Sequence, residues 1–148
     1  MISIKQIKQL RGETGVSVSE CKKALEEAKG DFEKAKDVLR KWGRELAGKK
    51  AKRKACLGIV DSYIHPDKRI GAIIELRCET DFVAKSDDFK NLAHELCLQI
   101  AAVDPEDNSL MSHPWIKDET KTIKDLINEH IVKLGENITV KRFTRYEI

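Results

Sequence analysis

An alternating run of apolar residues that gives way abruptly to helical spacing is the feature that most constrains this fold. From Arg69 to Cys78 every second residue is apolar, namely Ile70, Ala72, Ile74, Leu76 and Cys78. Such alternation is typical of a half-buried β-strand. Just beyond it, Thr80 and Ser86 are both residues that cap the first turn of a helix. Two caps so close leave room for little more than one helical turn, so the sequence predicts a strand-to-helix corner.

The turn between the two caps carries an acid, Asp81, and a large apolar ring, Phe82. In one interpretation Phe82 folds back into the core and Asp81 is a solvated acid of the first helical turn. In the other, the turn projects from the sheet and offers both side chains to a partner. The residues of the corner alone leave both interpretations open.

The segments beside the corner predict a β-hairpin and a long helix. Residues from Cys56 to His65 are rich in Ile, Val and Tyr, and Pro66-Asp67-Lys68 supplies the turn before the alternating strand. From Ser86 onward, apolar residues at helical spacing predict a long amphipathic helix that ends at Asp104-Pro105.

The remaining C-terminal part predicts one more helix and one more strand. Asp118 or Thr120 is expected to open the helix, and Gly135 to end it. Residues 137–148 are rich in β-forming side chains, but their alternation slips between Val140 and Phe143. We therefore expect either a bulge there or a strand that is apolar on both faces.

Three capped amphipathic helices are predicted at the N-terminus. Their caps are Ser3 with Gln6, Ser17 with Glu20, and Asp31. We expect residues 1–42 to form a three-helix bundle that suits docking, residues 43–55 an exposed basic helical linker, and residues 56–148 a core domain. The order of elements predicts an α+β fold, in which a small antiparallel sheet has helices packed on one side.

Size and composition limit the class of protein. A chain of 148 residues with 41% hydrophobic residues can bury roughly two-thirds of its surface without disulfides or metal. No apolar run approaches the ~18 residues of a membrane span. Helical spacing begins directly at the first residues, which predicts a cytosolic protein or one matured in an organelle.

The residues that most often hold metals follow no ligand pattern. The four cysteines are scattered and the four histidines do not match them in spacing, so we expect buried thiols, no metal and no cofactor. The cysteines are Cys21, Cys56, Cys78 and Cys97.

A basic cluster runs from Arg40 to Lys54. Such a cluster can bind phosphate backbones, but it is more often a solvated helix face. No aromatic residues are interleaved with it beyond Trp42, so we expect no specific nucleic-acid site.

Three motifs resemble those of the elongation factor Ts family, in the same order along nearly the whole chain. The first resembles the family's ubiquitin-associated-like N-terminal domain and includes Leu10-Arg11, Thr14-Gly15, residues 21–28 (CKKALEEA), Gly30-Asp31, residues 33–35 and Leu39-Arg40. The second, residues 78–85 (CETDFVAK), resembles the central signature. The third, residues 133–138 (KLGENI) with 141–143 (KRF), resembles the C-terminal signature.

This resemblance implies a nucleotide exchange factor of translation that performs no covalent chemistry. Its expected partner is elongation factor Tu loaded with GDP, contacted through the GTPase domain and a neighbouring domain. The turn formed by Thr80, Asp81, Phe82 and Val83 would insert beside the partner's magnesium and phosphate site. The ring of Phe82 would wedge between two helices, and Asp81 would help displace the groups that hold the magnesium.

Two departures from the family pattern affect the expected interfaces. The N-terminal bundle is expected to dock through Arg11, Val18 and Ser19, but the run Ser17-Val18-Ser19 replaces the family's usual Gly-Met-Met and weakens the apolar surface. Residues 105–111 replace a much longer helical segment, leaving a single core unit. We expect a homodimer through the sheet or its edge, with a monomeric short form as the alternative.

Two other functions are weighed against this one. A ubiquitin-type or acidic-peptide adaptor would depend on residues 1–42 alone and leaves the other two motifs unexplained. An RNA-binding protein would depend on the basic cluster and predicts binding that weakens steeply with salt. An enzyme would need a nucleophile, a base and an orienting group, which the sequence does not assemble.

Overall fold

The computed structural model describes residues 1–106 and 108–148, and it confirms the expected α+β fold. Helices α1 (Ile4–Thr14), α2 (Val18–Glu27) and α3 (Phe32–Lys50) precede strands β1 (Leu57–Ile64) and β2 (Ile70–Cys78). The corner helix α4 (Asp81–Ala84) and the long α5 (Asp87–Val103) follow. After a 3-10 turn at Leu110–Ser112 come β3 (Pro114–Trp115), β4 (Asp118–Thr122), α6 (Ile123–Leu134) and β5 (Thr139–Glu147). Asp107, within the segment 105–111 that replaces a longer one in the family pattern, lies outside the described residues.

The N-terminal helices begin at the predicted caps. The Gln6 backbone N–H donates to Ser3 Oγ (3.2 Å), and the Ser3 N–H donates back to Gln6 Oε1 (2.9 Å), which completes the expected capping box. Ser17 caps α2 by accepting from the Glu20 N–H (3.3 Å), without the return bond to its own N–H that the expected box would have, and Asp31 caps α3 by accepting from the Lys34 N–H (3.1 Å). The three helices bury a small core of their own, made of Leu10, Cys21, Ala24, Leu25, Ala28 and Ala35.

Helix α3 continues without a break through much of the predicted linker. Its Gly43 and Ala47 are buried, and Ala47 belongs to the larger core that the sheet and the later helices share. The expectation of an exposed extension is therefore wrong for this face of the helix, because small residues there let α3 pack closely against α6. The division of the chain into domains at 1–42, 43–55 and 56–148 stays a prediction.

Within the described residues, the main sheet has the strand order β1-β2-β5, and all neighbours are antiparallel. The β1–β2 hairpin is confirmed. Val140 of β5 pairs with Leu76, but Arg142 pairs with Glu75, so Lys141 is an extra residue. This is the bulge that the slipping alternation predicts.

Helix α5 covers one face of the sheet. Its Phe89, Leu92, Leu96 and Ile100 are buried in one core with Ile74 and Leu76 of β2. On the opposite face, which alternates with the first along each strand, four large side chains remain exposed to solvent. They are Val60, Ile64, Ile73 and Tyr146, which we call the open sheet face.

The start of the last helix was predicted wrongly. Residues 118–122 form strand β4 instead, and the helix begins after Thr122. Thr122 and Asp125 exchange hydrogen bonds as a capping box, with the Asp125 N–H donating to Thr122 Oγ1 (3.1 Å) and the Thr122 N–H to Asp125 Oδ2 (3.2 Å). Asp118 is occupied by the backbone and hydroxyl of Thr120, so it caps no helix.

Strand β3, which pairs with β4, is held by a buried amide. Gln99 of α5 donates to the carbonyl of Pro114 and accepts from the Ile116 N–H, each at 2.9 Å. Trp115, between these two residues, packs against the main core.

The expectation of buried thiols holds for Cys21, Cys78 and Cys97 but is wrong for Cys56, which is exposed just before β1. Burial raises the pKa of the Cys97 thiol to about 12, so that thiol stays protonated at neutral pH.

Gly58 of β1 has no room for a side chain. A Cβ on Gly58 (φ +152°) would lie 2.0 Å from the Leu76 carbonyl oxygen, so β1 approaches β2 here only because that residue has no side chain.

Candidate partner-binding site

The corner has the geometry that its two caps predict. The Val83 N–H donates to Thr80 Oγ1 (3.3 Å), and the Phe89 N–H donates to Ser86 Oγ (3.3 Å). Between these caps, α4 is a single turn of four residues. It starts three residues after the end of β2. Because β2 is the central strand and pairs with a strand on each side, the start of α4 is attached to a well-fixed part of the sheet.

The first two side chains of the turn face solvent and the last two face the core. Phe82 is 87% exposed and Asp81 is also exposed, whereas Val83 is 4% exposed and Ala84 is buried beside it. Phe82 therefore does not fold back into the core, and the role of the turn in binding a partner stays a prediction. Val83, expected among the partner-binding residues, lies in the core and anchors the turn. Thr80 is partly occupied in capping it.

A residue that sequence reasoning did not single out holds the start of the turn. Glu136, just after α6, accepts hydrogen bonds from the N–H groups of Glu79 (3.1 Å) and Thr80 (2.9 Å) through Oε1. Its Oε2 accepts from the Thr80 hydroxyl (2.7 Å). In the sequence this acid directly follows the glycine that ends a helix and belongs to the third motif (KLGENI), but neither fact says what the acid would contact.

The thiol of Cys78 lies beneath the same turn. It is buried, and its Sγ donates to the Thr80 carbonyl (3.1 Å). Burial raises the pKa of the Cys78 thiol, and the nearby carboxylate of Glu136 raises it further. The thiol therefore serves as a neutral donor under the turn.

The residues predicted for docking by the bundle lie around the α1–α2 turn. Arg11, Val18 and Ser19 are all exposed there. The side-chain stem of Lys133 in α6 runs beside Gly15 of that turn, about 3.5 Å from where a Cβ would be, and its Nζ pairs with Asp88 (3.2 Å) at the start of α5. Lys133 thus connects the α1–α2 turn with the helix that follows the corner.

Part of the basic cluster is engaged within the chain. Arg44 pairs with Asp125 (3.2 Å) across α3 and α6, Arg53 lies 3.7 Å from Glu79, and Lys50 donates to the carbonyl of Gly135. Burial alone would raise the pKa of Asp125, but hydrogen bonds from Thr122 and the charge of Arg44 outweigh it and hold that pKa below its usual value. These contacts leave less of the cluster free for a polyanion.

The turn of the corner presents one apolar ring, that of Phe82, and one carboxylate, that of Asp81, to solvent. Among residues 1–106 and 108–148, no group of three or more His, Cys, Asp or Glu side chains is arranged to hold a metal ion. No helix in the same residues is long and apolar enough to cross a membrane.

Comparison with known proteins gives the same family as the motifs. A sequence profile described as "Elongation factor TS" matches residues 79–148, which include the corner and Glu136. The elongation factor Ts of Thermotoga maritima is 42% identical over 99% of this chain and 96% of its own length. That of Moorella thermoacetica is 41% identical over all of this chain and 96% of its own length, and that of Thermoanaerobacter sp. (strain X514) is 42% identical over 99% and 95%.

These alignments extend over 191–194 positions, so the relatives carry residues that the 148 residues of this chain do not match. The likeness nevertheless covers nearly the whole of both chains, and the matched region contains the corner whose geometry is described above. The chain belongs to the elongation factor Ts family of translation elongation factors.

Proposed function

We propose that this protein binds elongation factor Tu loaded with GDP and accelerates GDP release. The observation that carries the proposal is the side chain of Phe82, which is 87% exposed on a turn whose next two residues, Val83 and Ala84, are buried. Exposing a large ring on a rigid turn has no benefit for this chain alone. It suits insertion between elements of a partner, because little conformational entropy is then lost on binding.

The proposed mechanism is differential binding. Phe82 enters the GTPase domain of elongation factor Tu beside its nucleotide site, and Asp81 disturbs the groups that hold the magnesium. The exchange factor must bind the nucleotide-free partner more tightly than the GDP-bound one, and GDP then weakens the factor's binding by the same factor. No covalent step is involved, and the exchange would take place in the cytoplasm, where elongation factor Tu works.

The N-terminal bundle is proposed to dock on the same GTPase domain through Arg11, Val18 and Ser19. Their exposure around one turn supports this role. Lys133 connects that turn with the start of α5, which supports simultaneous contact by the bundle and the corner.

The experiment is release of labelled GDP from elongation factor Tu, with and without this protein. We expect a release rate that rises with the concentration of this protein and saturates. Ile116→Ala, which removes another exposed apolar side chain, is the matched control and should behave like the wild type. Release that does not accelerate at any concentration of wild-type protein would refute the proposal.

We also propose a homodimer in which a second copy covers the open sheet face. Four exposed large side chains on one face, Val60, Ile64, Ile73 and Tyr146, support it, because a two-fold axis would place each apolar patch against its own copy. Light scattering after gel filtration should give twice the chain mass for wild type. Ile73→Glu should shift it to monomer, whereas Lys124→Glu, a charge change at an exposed site on α6, should not. A monomeric wild type at all concentrations would rule out the dimer.

A further inference from the structure

Two segments far apart in the chain hold each other at the base of the corner. Glu136 accepts three hydrogen bonds from Glu79 and Thr80. In the opposite direction, the N–H of Asn137 donates to Oε2 of Glu79 (2.6 Å). Each segment therefore supplies a carboxylate to the backbone of the other, an arrangement we call the crossed clamp.

A third segment joins the crossed clamp from the end of α3. The amide of Asn137, which is buried, donates to the carbonyl of Arg53 (2.9 Å), and the guanidinium of Arg53 lies 3.7 Å from Oε1 of Glu79. The clamp thus fixes the position of the loop after α6 as well as that of the corner.

The clamp acts where α4 is weakest. A helix of one turn has too few internal hydrogen bonds to offset the cost of ordering its backbone, so it depends on outside contacts for its direction. Val83 and Ala84 hold its far end in the core. The near end, from which Asp81 and Phe82 project, is held through Thr80, and both the backbone and the hydroxyl of Thr80 are bound by Glu136.

We propose that Glu136 is a positioning residue for nucleotide exchange, which fixes the angle at which α4 presents Phe82 and Asp81 to the partner. This inference rests on the proposed function. Glu136 itself is only partly exposed and acts through Thr80, so it is not assigned a contact with the partner.

The expected effect follows from the population of the productive turn. If the turn without Glu136 adopts its productive direction about a tenth of the time, apparent affinity falls roughly tenfold. Glu136→Ala should therefore reduce catalysed GDP release roughly tenfold at subsaturating concentration. Glu136→Gln keeps one acceptor oxygen for the two backbone N–H groups, so it should recover most of the loss.

A double-mutant cycle separates positioning from general destabilisation. If Glu136 acts through Phe82, its removal should cost much less in a Phe82→Ala background than in the wild type, because the ring that it directs is already gone. Glu119→Ala, which removes an exposed acid of β4, is the matched control and should leave release unchanged. If the fold-losses in GDP release of the two single variants simply multiply in the double variant, the positioning role is wrong.

A second measurement needs no partner. Native-state amide exchange of the full chain should be at least tenfold faster at Thr80 and Glu79 in Glu136→Ala than in wild type. The amide of Ile74 in the central strand should keep its protection and serves as the internal reference. Unchanged protection at Thr80 would overturn the clamp. The wild type could fail to accelerate GDP release from elongation factor Tu while the Thr80 amide loses protection in Glu136→Ala. In that case the proposed function fails and the clamp stands.

Discussion

Replacing Phe82 with Ala separates a side chain that serves a partner from one that serves the fold. Because the ring is 87% exposed, its removal should change the free energy of unfolding by less than about 0.5 kcal/mol. Phe89, seven residues later, is 0% exposed in the core. Phe89→Ala should cost about 3–5 kcal/mol of stability, so the two phenylalanines form a matched pair.

The effect of Phe82→Ala on exchange can be worked from the same exposure. Full burial of a phenylalanine ring is worth about 1.5–3 kcal/mol, and nearly all of that surface is available to a partner here. With about 1.4 kcal/mol for each factor of ten, catalysed GDP release should slow roughly 10- to 100-fold. An acceleration of ten-thousandfold requires about 5.5 kcal/mol, so the variant should be weakened but not inactive.

The assay is GDP release from elongation factor Tu together with urea unfolding of each variant. If Phe82→Ala lowers stability by more than about 1 kcal/mol, the ring packs within this chain and the partner-binding interpretation is wrong. A folded variant with wild-type release rates would also refute the reasoning, because no partner contact would then depend on the ring.

Asp81→Ala should slow GDP release most at high magnesium, and the defect should shrink in chelator; a defect of constant size across a magnesium titration would remove the proposed metal-displacing role. The folded-state pKa of Asp125 is lowered, so its stabilisation is present above the usual carboxyl pKa and is lost as pH falls through the folded value. Asp125→Asn should therefore destabilise by about 2 kcal/mol at pH 7, and the gap to wild type in denaturant unfolding should narrow as the pH falls below the usual carboxyl pKa; a gap that stays constant into the acid range would contradict this. Gly58→Ala should cost at least about 3 kcal/mol in thermal unfolding because its Cβ would overlap the neighbouring strand. Gly48→Ala, in open space within α3, should instead stabilise by about 0.5–1 kcal/mol, and similar effects at the two glycines would show that β1 and β2 tolerate separation.

The sequence predicts this fold best where one local signal decides the structure. The alternation of β2, the caps Thr80 and Ser86 and the glycine after α6 each act over a few residues, and the structure has them where they were expected. The bulge at Lys141 is also predicted by a local signal, the break in the alternation of β5.

The errors arise where several local signals compete. Asp118 and Thr120 are the caps that the sequence predicts, but the helix begins after Thr122, whose partner three residues later, Asp125, returns the hydrogen bond. Strands β3 and β4 are too short for a period to be recognised, and they depend on the buried amide of Gln99. The burial of Ala47 depends on how α3 meets α6, which no local pattern specifies.

The candidate site divides in the same way. Asp81 and Phe82 are recognisable from the corner itself, and the structure adds that the ring is exposed. Glu136 lies in the third motif, but its role could not be found from the sequence because its contacts with Thr80 span 56 residues. Whether these residues bind elongation factor Tu stays a prediction that the assays above address.

The crossed clamp also determines when the corner reaches its final shape during folding. Strands β1 and β2 form a local hairpin, which requires little loop closure. The backbone of Thr80 can bind Glu136 only after the chain has folded back over 56 residues, and β2 can pair with β5 only at the same stage. Long-range contacts of this kind form late because a large loop must close first. A newly made chain would thus acquire its hairpin early and its competent corner only once α6 and β5 have docked.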